Sequence, residues 1–120
     1  MTEIPERDAA RLLDMLLAAR DVLEFADGLT KEQFLSSRLH QNAIIRSLEV
    51  IGEAAGHVSP DTTLALPTIP WQAITGMRHR LIHGYAVVDL DLVWHVINTD
   101  ITPLIERLEP VVPSEDDYSA

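Results

Sequence analysis

Apolar residues recur at three- and four-residue intervals along most of this chain, and the interruptions fall where a glycine, a proline or a capping side chain stands. Over residues 5–27, Leu12, Leu13, Leu16, Leu17, Val22 and Leu23 form one stripe. Pro5 suits a first helical turn, and Gly28 supplies the stop. Thr30 and Gln33 are spaced as a capping box, the hydroxyl accepting from the Gln33 N–H while the Gln33 side chain reaches back, which predicts a short helix to about residue 36. From 38 to 57 the residues Leu39, Ala43, Ile44, Ile45, Leu48, Val50, Ile51 and Ala54 are apolar over a wide arc, so this long helix is expected to lie between two neighbours.

Residues 59–70 carry three prolines and no helical stripe, and read as the one extended loop and the most mobile ordered segment. Pro70 and Trp71 then open a helix that carries Ile74, Met77, Leu81 and Ile82 and is expected to end near His83, with Gly84 as a left-handed C-cap. Asp89 or Asp91 caps a last helix through Leu92, Val93, Val96, Ile97, Ile101, Leu104, Ile105 and Leu108, and Pro103 in its middle predicts a kink. No segment reads as a strand and no repeat is visible. The pattern is that of an all-α bundle of four to five helices in one domain over 1–112, followed by an acidic tail over 113–120 that is expected to be disordered.

Composition narrows this. A chain of 120 residues, 47% hydrophobic but only 5% aromatic, has room for one aliphatic core and none for a separate substrate domain. Its formal charge of −10 argues against a broad basic face that coats nucleic acid. Eight arginines accompany the single Lys31, and Arg46, Arg78 and Arg80 lie mid-chain, so a small cationic pocket on an acidic body is still open, as is a basic protein partner. The lack of cysteine excludes disulfides and thiolate chemistry. Every apolar run is broken well short of the roughly 18 residues a membrane span needs, and the N-terminus lacks a basic start and apolar stretch, so no membrane association and a cytoplasmic location are the expectations.

Chemistry concentrates in residues 77–85, where two arginines, two histidines and Tyr85 fall within nine positions. Arginine stabilises phosphate charge, histidine titrates near neutral pH, and a tyrosine offers a modifiable hydroxyl. On a regular helix Arg78 and His83 lie about 140° apart, so they converge poorly within one chain. An Arg–His pair at a helix end also serves simply to satisfy orphan carbonyls. His79 and His83, four apart, share a face, but no glutamate follows His79 and no third ligand is apparent, so no metal and no cofactor are expected. Arg46 and Glu53, seven apart, share a face of the long helix and either line a cleft or form structural ion pairs. Arg80 is a flanking phosphate contact or a solvated charge. Trp71 and Trp94 read as core or interface anchors, and His40, His57 and His95 as surface or core-edge residues.

The segments Arg46-Ser47-Leu48-Glu49-Val50-Ile51-Gly52-Glu53-Ala54-Ala55, Ile69-Pro70-Trp71, Gly76-Met77-Arg78-His79-Arg80-Leu81-Ile82-His83-Gly84-Tyr85 and Asp89-Leu90-Asp91-Leu92-Val93-Trp94 together resemble the HepT-like family of HEPN-domain proteins, in order and over nearly the whole chain. The family pattern is an Arg, four to six residues, then a His, extended here to a Tyr two positions later; Arg78, His83 and Tyr85 meet it. His79 stands where such families commonly have Asn or Asp. The resemblance implies a HEPN-like bundle acting as a metal-independent endoribonuclease, the toxin of a toxin–antitoxin pair whose partner is a minimal nucleotidyltransferase of the MNT type. It also implies a homodimer whose two motifs line one cleft on an RNA substrate.

In that cleft His83 would serve as general acid or base on the ribose 2′-hydroxyl or the leaving 5′-oxygen, and Arg78 would stabilise the added phosphate charge. The C-terminal end of the helix dipole favours a protonated His83 and hence an acid role. His79 would orient Arg78 or bind phosphate, and adenylylation of Tyr85 by the partner would silence the site; Tyr85 as a buried hydroxyl donor is the plainer reading. The competing function is a non-catalytic module that binds a nucleotide or the nucleotidyltransferase, which the acidic composition favours.

Overall fold

The computed structural model describes residues 4–83 and 87–112, with His83 described by its backbone alone. Tyr85, Gly84 as a C-cap and the 113–120 tail therefore lie outside the described residues. The all-α class expected from the sequence holds: the described residues form eight helical segments, seven within the expected helices and one, α4, where a loop was expected.

Two long helices form the spine. In α1 (Glu6–Ala26), Leu12, Met15, Leu16, Ala19 and Val22 are buried along one stripe. In α3 (Arg38–Gly56), Ile44, Leu48, Ile51 and Ala55 face them, and the α1–α3 packing is the main contact of the molecule. Gly28 has φ +75°, the left-handed conformation that glycine adopts without cost, and it turns the chain after α1. Between the two helices, α2 (Lys31–Ser36) begins at the expected capping box: Thr30 Oγ1 accepts from Gln33 N at 3.1 Å and Gln33 Oε1 accepts from Thr30 N at 3.0 Å. Phe34 of α2 is fully buried, its ring centroid 5.4 Å from that of Trp94, which anchors that tryptophan at the core edge. His40 is half-buried, its Nδ1 2.6 Å from the hydroxyl of Ser37, the N-cap of α3.

Residues 59–70 are not one extended loop. Pro60 occupies the first position of α4 (Pro60–Ala65), where its missing N–H costs nothing and its fixed φ already suits the helix. What holds this short helix is polar rather than an apolar stripe. Asp8, buried in the first turn of α1, accepts from Ser59 N at 3.0 Å and from the Ser59 and Thr62 hydroxyls at 2.5 Å each. Trp71 Nε1 donates to the Leu66 carbonyl at 3.0 Å and ties the following stretch down.

The helix expected from Pro70 to His83 is broken twice. It runs as α5 (Trp71–Thr75), pauses at Gly76, and resumes as α6 (Met77–Leu81). Thr75 Oγ1 donates back to the Trp71 carbonyl at 3.0 Å, and Gly76 is a poor helix former, so the ladder yields between them. The chain then turns extended at Ile82, forming β1 (Ile82–His83) against β2 (Val87–Val88), antiparallel with Ile82 opposite Val88 and His83 opposite Val87. Asp89 N–H continues the pairing to the Leu81 carbonyl at 2.7 Å. This hairpin corrects the expectation of no strand: β-branched Ile82, Val87 and Val88 favour extended backbone, and pairing settles what two-residue strands cannot signal by alternation.

Asp89 caps α7 (Leu90–Thr99), its Oδ1 accepting from Leu92 N at 3.0 Å. The last helix does not kink at Pro103; it breaks at Asp100, before α8 (Ile101–Leu108). A proline lacks the N–H that would bond the carbonyl four residues back and its ring crowds that carbonyl, so the disruption falls at 99–100 and Pro103 itself sits in the first turn of α8. The Asn98 and Thr99 side chains donate to the Trp94 and His95 carbonyls at 2.8 and 2.7 Å, which completes the end of α7. Ile101, Leu104, Ile105 and Leu108 of α8 bury against α1.

Candidate active site at the α3–α6 cleft

The cleft is made by the close approach of α5 and α6 to the C-terminal half of α3. Gly52 permits it: a Cβ there would stand 3.2 Å from the Ile74 carbonyl oxygen, so any side chain would push α5 away. The resulting opening, about 420 Å³, has Arg46, Glu49, Gly52 and Glu53 on the α3 wall and Thr75 and Arg78 on the other, over Met77 and Leu81. Its size lies within the range of small-ligand sites, and its walls carry two guanidiniums and two carboxylates.

Of the expected site residues, the structure thus brings Arg46, Glu53 and Arg78 to one cavity. Arg46 and Glu53 do not pair with each other. Arg46 Nη1 instead lies 3.8 Å from Glu49 Oε2, an exposed pair that contributes little to stability. Glu49, Gly52 and Thr75 are not singled out by the sequence, although Glu49 stands three residues from Arg46 on the same helix, a spacing that makes the two neighbours.

Arg78, His79 and Arg80 are all exposed, and none of their side chains has a hydrogen bond or ion pair to another described residue. Arg78 faces the α3 cleft while Arg80 lines a different cavity, toward α8. Two steps around a helix are about 200°, which puts the two arginines on opposite sides of α6. His79 lines neither cavity.

His83 lies beyond the helix, in β1, and this corrects the expectation that it closes the helix C-terminus. The dipole acts over the last turn of a helix, so the argument that it favours a protonated His83 loses its basis. The backbone also changes course between Arg78 and His83, from α6 into an extended strand, so the 140° of a continuous helix no longer describes their relation. Trp71 and Trp94 are half-buried and packed against the core, while His57 and His95 are exposed. Among the described residues no three His, Cys, Asp or Glu side chains are grouped to hold a metal ion, and no helix is long and apolar enough to cross a membrane.

Comparison with known proteins identifies the family. The family described as Ribonuclease HepT-like matches residues 15–111. The chain is 37% identical over 98 residues to "Probable ribonuclease HepT" of Thermococcus cleftensis, covering 82% of this chain and 89% of that protein. It is 34% identical over 102 residues to "Putative RNase MJ1380" of Methanocaldococcus jannaschii, covering 85% and 94%. It is also 31% identical over 94 residues to "Putative RNase TTE0752" of Caldanaerobacter subterraneus, covering 78% and 84%. No solved structure matches the chain. With a match that takes in both walls of the cleft and the whole motif segment, the chain belongs to the HepT-like ribonuclease family.

Proposed function

We propose that this chain is a metal-independent endoribonuclease, the toxin of a HEPN/MNT-type pair, which cuts RNA at a site carrying Arg78 and His83. The observation that supports this most directly is the placement of Arg78. An exposed arginine with no partner among the described residues borders a ligand-sized cleft in a chain of net charge −10 that belongs to a ribonuclease family. In the proposed reaction a ribose 2′-oxygen attacks the adjacent phosphorus and the bond to the 5′-oxygen breaks, leaving a 2′,3′-cyclic phosphate and a 5′-hydroxyl. His83 takes the 2′-hydroxyl proton or gives one to the leaving oxygen, and Arg78 stabilises the extra phosphate charge. His79 orients Arg78 or binds phosphate, Arg80 and Arg46 add positive charge along the strand, and Glu53 orders Arg78 across the cleft. A second copy of the chain brings the opposing motif, and adenylylation of Tyr85 by the MNT-type nucleotidyltransferase blocks the site with a bulky anion.

Purified chain incubated with single-stranded RNA in chelator tests this. Cleavage to cyclic-phosphate ends, lost in Arg78→Ala and in His83→Ala, is the expected result. Activity that requires added divalent metal removes the metal-independent reading, and activity unchanged in both variants removes the site. Growth arrest on expression, relieved by co-expression of the nucleotidyltransferase with an added adenylyl group on Tyr85, tests the toxin and silencing steps.

The second reading is a non-catalytic module that binds a nucleotide or the nucleotidyltransferase. Glu49 and Glu53 favour its protein-binding form, since two carboxylates in the cleft oppose an incoming phosphate. Tight nucleotide or partner binding without RNA cleavage would select it.

A further inference from the structure

We propose that the cavity between α6 and α8 is a second RNA subsite, which holds a nucleotide beside the one cleaved at the α3–α6 cleft. This rests on the RNA reading above. The cavity, about 210 Å³, brings Arg80 of α6 and Arg107 of α8 together over an apolar floor of Ile74, Met77 and Leu104. That volume is below the roughly 300 Å³ at which sites for drug-sized ligands begin, so it suits one base or one ribose phosphate rather than a whole cofactor.

Its charge selects an anion. The Arg80 and Arg107 side chains are exposed and have no hydrogen bond or ion pair to another described residue, although acidic side chains outnumber basic ones 19 to 9 in the chain. Among the described residues Asp100 is the opposing carboxylate in the lining, its Oδ1 3.0 Å from the Thr99 hydroxyl. Among the described residues no aromatic ring lines the cavity, so a base there is held by the guanidinium planes above and the apolar floor below.

Position makes the occupant a neighbouring nucleotide. Buried Met77 lines both cavities, and α6 is the ridge between them, with Arg78 on one slope and Arg80 on the other. A helix with its side chains is about 10–12 Å across, so a strand that touches Arg78 crosses the ridge within about two nucleotides and delivers a phosphate there to Arg80 and Arg107.

The test uses Arg107, far in sequence from the motif. Affinity of the full chain for single-stranded RNA is measured by fluorescence anisotropy in the His83→Ala background over a salt series, with a dinucleotide and a strand of about ten nucleotides. Arg107→Glu is expected to weaken binding of the long strand about tenfold, with a smaller effect on the dinucleotide, and to flatten the slope of log affinity against log salt by about 0.7 for each phosphate no longer neutralised. Arg107→Lys should keep the slope. Arg80→Ala gives the same readout if Arg107→Glu fails to fold. Unchanged affinity and slope in folded variants overturns the subsite. If the wild-type chain binds RNA through Arg107 but never cuts it, the cleavage reading fails and the subsite stands. If it cuts RNA and is indifferent to Arg107, the reverse holds. If it neither binds nor cuts RNA, both fail.

Discussion

The carboxylate of Asp8 and the hydroxyl of Ser59, 51 residues apart in the chain, meet at 2.5 Å and tie the first turn of α1 to the start of α4. Burial alone would push the Asp8 carboxyl up. The Ser59 and Thr62 hydroxyls, the Ser59 N–H and the charge of Arg7 outweigh it and hold the group below the usual carboxylate range. A carboxyl whose pKa is lowered on folding gives stability that is complete above its unfolded value, about 3.9, and is lost as pH falls through the folded value. Asp8→Ala is expected to cost about 1–3 kcal/mol near neutral pH, because three donors lose their acceptor. Urea unfolding from pH 7 down to pH 2 checks both points, since the variant should lack this part of the wild type's stability loss below about pH 4.

Gly52 and Gly56 lie one turn apart on α3 and should respond oppositely to alanine. At Gly52 the new Cβ meets a backbone oxygen at 3.2 Å, which can yield only by moving α5, so Gly52→Ala is expected to destabilise by about 1 kcal/mol or more. At Gly56 no atom lies within 4 Å, and the gain in helix propensity, up to about 1 kcal/mol, goes unopposed. Thermal melts compare the two. Because α5 carries the chain into α6, Gly52→Ala should also lower RNA cleavage by more than its melting shift explains. A variant as active per folded molecule as the wild type would contradict that.

Asp89 is expected to matter twice. Its side chain accepts from Leu92 N at the start of α7, and its N–H bonds the Leu81 carbonyl where α6 gives way to β1. Asp89→Ala removes the cap, at a cost of about 1 kcal/mol, while Asp89→Ser should recover most of it. Amide hydrogen exchange at 90–93 should rise in the alanine variant before any change appears in α1 or α3.

How far the chain is legible follows from where each element draws its support. The two long helices carry their buried stripes as a periodicity, and the caps at Thr30 and Asp89 rest on bonds within three residues, so the sequence discloses both. The α4 helix does not: it is held by Asp8, an acidic first-turn residue indistinguishable in the sequence from one that merely complements the helix dipole. The strand pair formed by 82–83 and 87–88 is too short for alternation to signal, and so His83 reads in the sequence as a helix end. At the cleft, the seven-residue spacing of Arg46 and Glu53 places both on one face of α3. That Arg78 stands opposite them depends on Gly52 and on the break at Gly76, which are features of packing.

The position of His83 in β1 bears on which chain completes the site. Arg78 leaves the side of a helix and His83 follows from a strand beyond it, so the two are carried by different elements even within one protomer. If, as proposed, two copies pool their motifs, a dimer of an Arg78→Ala chain with a His83→Ala chain keeps one intact pair, an arginine from one copy facing a histidine from the other. Each homodimer has none. The mixed dimer, purified through two different affinity tags, is therefore expected to regain up to about half of wild-type cleavage, where single removal of a general acid–base group costs about 10²–10⁴-fold. A mixed dimer as inactive as its parents would mean that each chain builds its own site, and the second copy would then serve to shape the cleft rather than to supply its chemistry.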